Sequence, residues 1–297
     1  MPKTRANGID IEYETFGKSG NRPLVLIMGI GSQMVSWPTE FCEKLVAGGH
    51  FVVRFDNRDV GLSTQLDDSG IPNIWEALAA VQAGRQFNAP YRLSDMAMDT
   101  VGLMDSLNIK KAHICGISMG GMIAQTIAIE HQHRVKSLIS MESTTGEPGL
   151  PLSKPEVREA LIKPTPAERE AYIQHMLEVF RLFAGGSEKF DEGSQRVMSG
   201  LSYERSPFHP AGFARQYVAI LTSGSRRKAL ASVHVPSLVI HGAEDPLLPW
   251  MHGKDTADAI TGAKFLMIKG LGHGMAYPNL WDEIVEAITT HTKATET

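Results

Sequence analysis

Gly116-Ile117-Ser118-Met119-Gly120 contains a serine whose neighbours fit it for nucleophilic chemistry. The apolar run Ala112 to Cys115 leads into it and a helical pattern leaves it, so Ser118 is expected on a tight strand-to-helix turn. Gly116, Gly120 and Gly121 allow the strained backbone and the close passage of helix over strand that such a turn needs. A serine that attacks a carbonyl also needs a base to take its proton and a carboxylate to orient that base. His273, in Gly270-Leu271-Gly272-His273-Gly274, and Asp245, in His241-Gly242-Ala243-Glu244-Asp245-Pro246, each follow an apolar run and are expected at strand ends. Ser118, Asp245 and His273 therefore read as nucleophile, orienting acid and general base. Glu142, after Val135 to Met141, and Glu244, beside Asp245, are rival acids. Asp245 is favoured because a short side chain in an Asp-Pro turn projects at the loop tip, whereas Glu142 fits a hinge.

Acyl transfer further requires donors aimed at the developing oxyanion. The backbone N–H of Met119, at the start of the helix, supplies one. The loop Gly29-Ile30-Gly31-Ser32 is expected to supply the second, from Ile30. His131 and His133 suit the carbonyl end of that helix, and His241 lacks the glycine-rich loop that frees His273. No His-x-x-x-His arrangement with a flanking general base occurs, and no metal site is expected. Arg58-Asp59 reads as a salt-bridged turn before it reads as a substrate anion site.

These groups need a scaffold that brings them together. Ile9 to Phe16 alternates apolar and polar residues, as an outer antiparallel strand would. Leu24 to Met28 and Phe51 to Phe55 are apolar runs that suit strands buried on both faces, and Val135 to Met141, Ser237 to His241 and Phe265 to Ile268 add further strands. Trp37 to Val46, stopped by Gly48-Gly49, Ser94 to Leu107 with Ser94 as N-cap, Met119 to His131 and about Asn279 to His291 read as helices. Strands alternating with helices imply an α/β fold with a parallel sheet and helices on both faces. Between Ser143 and Ala231 the alternation stops, and prolines at 148, 151, 155, 164 and 166 separate helical patterns such as Ala167 to Phe183. The expected organisation is a core of residues 1–142 and 232–297 with a helical cap, 143–231, over the sheet's C-terminal edge.

Composition sets outer bounds. The chain has 297 residues, 42% hydrophobic and 21% charged, with net charge -4, which suits a globular protein without the basic footprint of a nucleic-acid binder. Cys42 and Cys115, the only cysteines, are expected to be free thiols in a reducing compartment. Met1 to Asp10 has no apolar signal region and no run approaches bilayer-spanning length, so a cytoplasmic location without a membrane partner is expected. Arg226-Arg227-Lys228, the densest basic run, reads as a solvated loop or helix start.

Several further strings accompany the triad: Met28-Gly29, Ser36-Trp37-Pro38, Glu40-Phe41, the stretch Arg54 to Thr64, Val235 to Ile240, Glu244-Asp245-Pro246, His252-Gly253-Lys254 and Gly272-His273. In these the chain resembles the serine α/β-hydrolase superfamily, most closely its aclacinomycin methylesterase type, over most of the core but not the cap. The resemblance implies an α/β-hydrolase fold: a mostly parallel eight-stranded sheet, helices on both faces and an inserted helical cap. It further implies cleavage of a small-molecule carboxylic ester through an acyl-enzyme on Ser118, without any cofactor. Many relatives carry His-Gly where this chain has Met28-Gly29, a change that keeps the backbone donor and removes an imidazole. The same triad serves carbon-carbon, lactone, amide and perhydrolase reactions, and a ligand receptor on the same fold is a further alternative. Met176, Phe180, Phe183, Tyr203 and Phe208 fit the interior of the cap first and an apolar pocket second.

Overall fold

Alternate residues of the apolar runs point to opposite faces of one sheet and fill two separate cores. The computed structural model describes residues 2–295, so Met1, Glu296 and Thr297 of the expected core lie outside it. The strands are β1 (Lys3–Ala6), β2 (Ile9–Phe16), β3 (Arg22–Ile27), β4 (His50–Phe55), β5 (Ala112–Ile117), β6 (Val135–Met141), β7 (Ser237–Gly242) and β8 (Lys264–Ile268). They form one eight-stranded sheet in the order β1-β2-β4-β3-β5-β6-β7-β8. β2 pairs antiparallel with both β1 and β4, and every other pairing is parallel. From β3 the chain crosses to β4 on one side and then returns to β5 on the other. This reversal opens a crevice at the C-terminal ends of β3 and β5, where open α/β sheets bind ligands.

The helices are α1 (Thr39–Ala47), α2 (Ile74–Gln82), α3 (Leu93–Ser106), α4 (Met119–Glu130), α5 (Pro155–Ile162), α6 (Arg169–Phe183), α7 (Glu192–Arg205), α8 (Pro210–Ser223), α9 (Arg227–Leu230), α10 (Met251–Ala259) and α11 (Trp281–Lys293). Val25 and Ile27 of β3 pack with Met104 of α3 and Ile123 of α4 in one core. Leu24 and Leu26 of the same strand pack with Phe41 of α1 and Ile284 of α11 in the other. The period-2 alternation of a strand thus divides a continuous apolar run between two layers. Between β6 and β7 lie α5 to α9, with no strand among the described residues. Among the described residues no helix is long and apolar enough to cross a membrane.

Four details differ from the sequence reading. Lys3–Ala6 is the true sheet edge, so β2 is an inner strand; a short polar segment carries no apolar alternation to betray it. Neither α2, whose face exposes Trp75, nor α10 was expected. Helix α3 begins at Leu93, so Ser94 lies inside it, and Asp95 Oδ2 accepts the Arg92 N–H at 2.7 Å in place of a serine cap. Arg226 is buried rather than solvated: it donates to Gln125 Oε1 at 3.0 Å and to the Thr144 carbonyl at 2.9 Å.

Candidate active site

Two close backbone contacts create the turn at Ser118. A Cβ on Gly116 would lie 2.0 Å from the Gly120 carbonyl oxygen, and one on Gly120 would lie 2.1 Å from that of Ile27. Only glycine lets α4 start directly over β5 and β3. Ser118 itself adopts φ 55° and ψ -121°, a left-handed backbone that a side chain rarely occupies and that the surrounding bonds must enforce. Its N–H donates to the Met141 carbonyl at 3.0 Å, and its carbonyl accepts from Ser143 Oγ at 2.7 Å.

His273 and Asp245 meet across the ends of β8 and β7. The Nδ1 of His273 lies 2.8 Å from Asp245 Oδ2, with both side chains buried. Asp245 Oδ1 accepts the N–H groups of Leu247 and Leu248, each at 2.9 Å, which fixes the carboxylate and directs Oδ2 at the imidazole. His241 Nε2 stands 3.4 Å from the same Oδ2 and 2.7 Å from the Leu248 carbonyl oxygen. Burial alone would raise the Asp245 carboxyl; His273 and His241 outweigh it and hold the group at about 2. Burial likewise opposes the imidazolium of His273, but the Asp245 carboxylate raises its pKa above the ordinary imidazole value.

The two rival acids hold the histidine loop by its ends. Glu244 Oε2 accepts the Gly270 N–H at 2.7 Å, and Glu142 Oε2 accepts the Gly274 N–H at 2.7 Å. The loop is also tied from outside the sheet: the His273 N–H donates to the Phe183 carbonyl at 2.8 Å, and the Phe183 ring meets the imidazole edge-to-face with centroids 6.0 Å apart.

Gly29 lies against Ser118, since a Cβ there would sit 3.2 Å from Ser118 Cβ and 3.7 Å from Oγ. The loop bearing Ile30 is therefore adjacent to the serine. Gln216 of α8, fully buried, fixes this loop: its Oε1 accepts the Gly31 N–H at 2.8 Å while its Nε2 donates to the Arg58 carbonyl at 2.8 Å. Sequence reading missed Gln216, because a lone amide in a helical pattern carries no signal. Asp59 pairs with Arg215 and Arg58 with Asp99, so both charges of the Arg58-Asp59 turn are spent within the protein.

Ser118, Ile30 and His273 line one cavity beneath α5 to α8, together with Met28, Met176, Phe180, Phe183, Phe208 and Phe213. Tyr203 is not among its lining, and its hydroxyl donates to the Ala167 carbonyl. Cys42 and Cys115 are buried free thiols whose pKa values burial pushes up, which leaves them unreactive. His131 and His133 lie at the far end of α4, with ring centroids 6.4 Å apart.

Comparison with known proteins gives a consistent result. Residues 22–279 match the family model described as alpha/beta hydrolase fold. The chain is 28% identical over 300 residues to rhodomycin D methylesterase DnrP of Streptomyces peucetius, covering 95% of this chain and 94% of that one. It is 25% identical over 291 residues to 3-oxoadipate enol-lactonase 2 of Acinetobacter baylyi, again covering 95% and 94%. Among solved structures, the enol-lactonase of Burkholderia xenovorans superposes with TM-score 0.71 at 19% identity, over 98% of this chain and 100% of that one. The strand order, the glycine-lined turn at Ser118 and a family match across most of the sequence agree with the expected resemblance: this chain belongs to the α/β-hydrolase fold family.

Proposed function

We propose that this protein is a carboxylic ester hydrolase that works through an acyl-enzyme on Ser118. The observation that carries the reading is the 2.8 Å contact between His273 Nδ1 and Asp245 Oδ2, on a ring that shares its cavity with the strained serine. With Nδ1–H donated to Asp245, the other ring nitrogen, Nε2, is left as the acceptor, which is the tautomer a general base requires. His273 takes the Ser118 Oγ proton as Oγ attacks the ester carbonyl. The Ile30 and Met119 N–H groups, neither engaged in a backbone hydrogen bond among the described residues, receive the oxyanion. The imidazolium then protonates the departing alkoxide. Water, deprotonated by the same ring, releases the acid and restores the serine.

The segment between β6 and β7 acts as a cap in this reading, because its residues furnish most of the apolar wall around the reacting atoms. A small molecule with an apolar acyl or alcohol portion fits that wall. The methylesterase relatives favour a small alcohol as leaving group. A lactone is the second reading, supported by the enol-lactonase relatives; it is an internal ester and needs no change in the machinery. The buried, free thiols fit a reducing cytoplasmic setting.

Hydrolysis of paired methyl esters and lactones of matched acyl groups, by the native protein and by Ser118→Ala, tests the proposal. Ester turnover that disappears in the variant is the expected result. Turnover that persists in the variant overturns the mechanism, and turnover of lactones alone moves the assignment to the second reading.

A further inference from the structure

Glu142 is the residue immediately after β6, and its side chain is fully buried. Its backbone stands at φ 45°, a left-handed conformation that a glutamate adopts only when its surroundings impose it. Oε2 accepts the Gly274 N–H at 2.7 Å and lies 3.8 Å from His273 Nδ1, while Oε1 has no hydrogen-bond partner. A carboxyl buried this completely is costly, and holding Gly274 requires only one acceptor. The loop contact therefore does not account for a glutamate at this position. The oxygen that holds Gly274 also stands beside the catalytic ring: ligating atoms of Glu142, Asp245 and His273 all lie within 4.8 Å of one another.

Two carboxyl groups this close around one imidazole do not readily both ionise. Burial, followed by the charge of Asp245, raises Glu142 to about 8 against the opposing pull of His273 and the Gly274 N–H. Burial keeps the phenol of Tyr277, four residues beyond His273, protonated. His241 stands behind Asp245, and Glu244 is committed to Gly270 at the loop's other end. Asp245 is thus held toward its charged form, and Glu142 is pushed toward its neutral form.

We infer that Glu142 is a positioning residue, a reserve carboxylate that takes over the Nδ1–H of His273 when the charge on Asp245 is removed. In that event Glu142 loses its proton to solvent, and the Nδ1–H bond turns from the Asp245 side chain to the Glu142 carboxylate. The inference rests on the serine-triad reading above.

The test compares kcat/KM on an activated ester for Asp245→Asn, Glu142→Gln and the double variant, with Ser118→Ala as the control on the triad itself. Glutamine keeps an acceptor for the Gly274 N–H and removes the possibility of charge. The expected result is that Glu142→Gln costs at least about tenfold more in the Asp245→Asn protein than in the protein that retains Asp245. Proton NMR should also find the low-field Nδ1 resonance of His273 in Asp245→Asn and lose it in the double variant. Equal losses in the two backgrounds, or an Asp245→Asn protein without that resonance, overturn the inference and leave Glu142 as a loop anchor. Should the double variant fail to fold, the resonance in Asp245→Asn decides alone. Undiminished turnover by Ser118→Ala would instead remove the triad reading on which the inference stands.

Discussion

Arg215 of α8 reaches across from the inserted helices and grips Asp59 of the turn after β4, Nε to Oδ2 at 2.9 Å and Nη2 to Oδ1 at 2.7 Å, with both side chains fully buried. Tyr91 adds its hydroxyl to the same carboxylate at 2.7 Å. Removing one partner strands a charge in the interior, so Arg215→Met is expected to destabilise the protein by about 3–5 kcal/mol, read from urea unfolding. Arg215→Met combined with Asp59→Asn should recover part of that loss. A combined variant no more stable than Arg215→Met would show that the pair is not what holds these helices down.

Ser118 should trade stability for activity. Ser118→Gly relieves a positive φ that glycine tolerates, and a gain of about 1 kcal/mol is expected together with loss of turnover by at least about 10³-fold. Calorimetry and ester assays on the same preparation check both halves. An equally stable or less stable glycine variant would mean that the turn is not strained.

The pH dependence of kcat/KM should report His273. Asp245 raises the folded pKa of this imidazole, and the ring must be neutral to accept the serine proton. Activity therefore climbs with pH through a midpoint above the ordinary imidazole value of about 6.5. A midpoint below that value would contradict the direct contact with Asp245.

His113 contributes to acid stability from the opposite end of the sheet. It is wholly buried, its Nδ1 lies 2.8 Å from Ser137 Oγ, and burial drives its pKa down to about 3. Because the folded state refuses a proton that the unfolded chain accepts near pH 6.5, stability is lost as pH falls below about 6.5, by up to about 1.4 kcal/mol per unit. The loss continues until the pH nears the folded value. Urea midpoints between pH 7 and pH 4.5 should fall less steeply for His113→Asn than for the native protein.

Gln216 links the inserted helices to the loop that carries Ile30. Gln216→Leu leaves the Gly31 N–H and the Arg58 carbonyl without partners, and Ile30, the proposed oxyanion donor, loses its fixed position. A fall in kcat of about tenfold or more, with a smaller change in KM, is expected from steady-state kinetics. A pure KM effect would assign Gln216 to substrate binding instead.

The candidate site was legible in the sequence because it depends on local requirements. A serine on a strand-to-helix turn demands glycine at Gly116 and Gly120, and the tight loop that carries His273 demands glycine around it, so those positions announce themselves in a few consecutive residues. The buried strands were equally plain, since an apolar run bounded by turns has few other solutions, whereas Lys3–Ala6 at the sheet edge buries too little to leave a pattern. Sequence alone therefore determined the fold class, the candidate serine and histidine and the short list of acids. Only the tertiary structure decided among Glu142, Glu244 and Asp245 as the partner touching His273, and only it joined Arg215 to Asp59 and Gln216 to Gly31. Those relationships span long stretches of chain and depend on where loops from different strands end. No local periodicity or propensity encodes an ångström-scale distance between them.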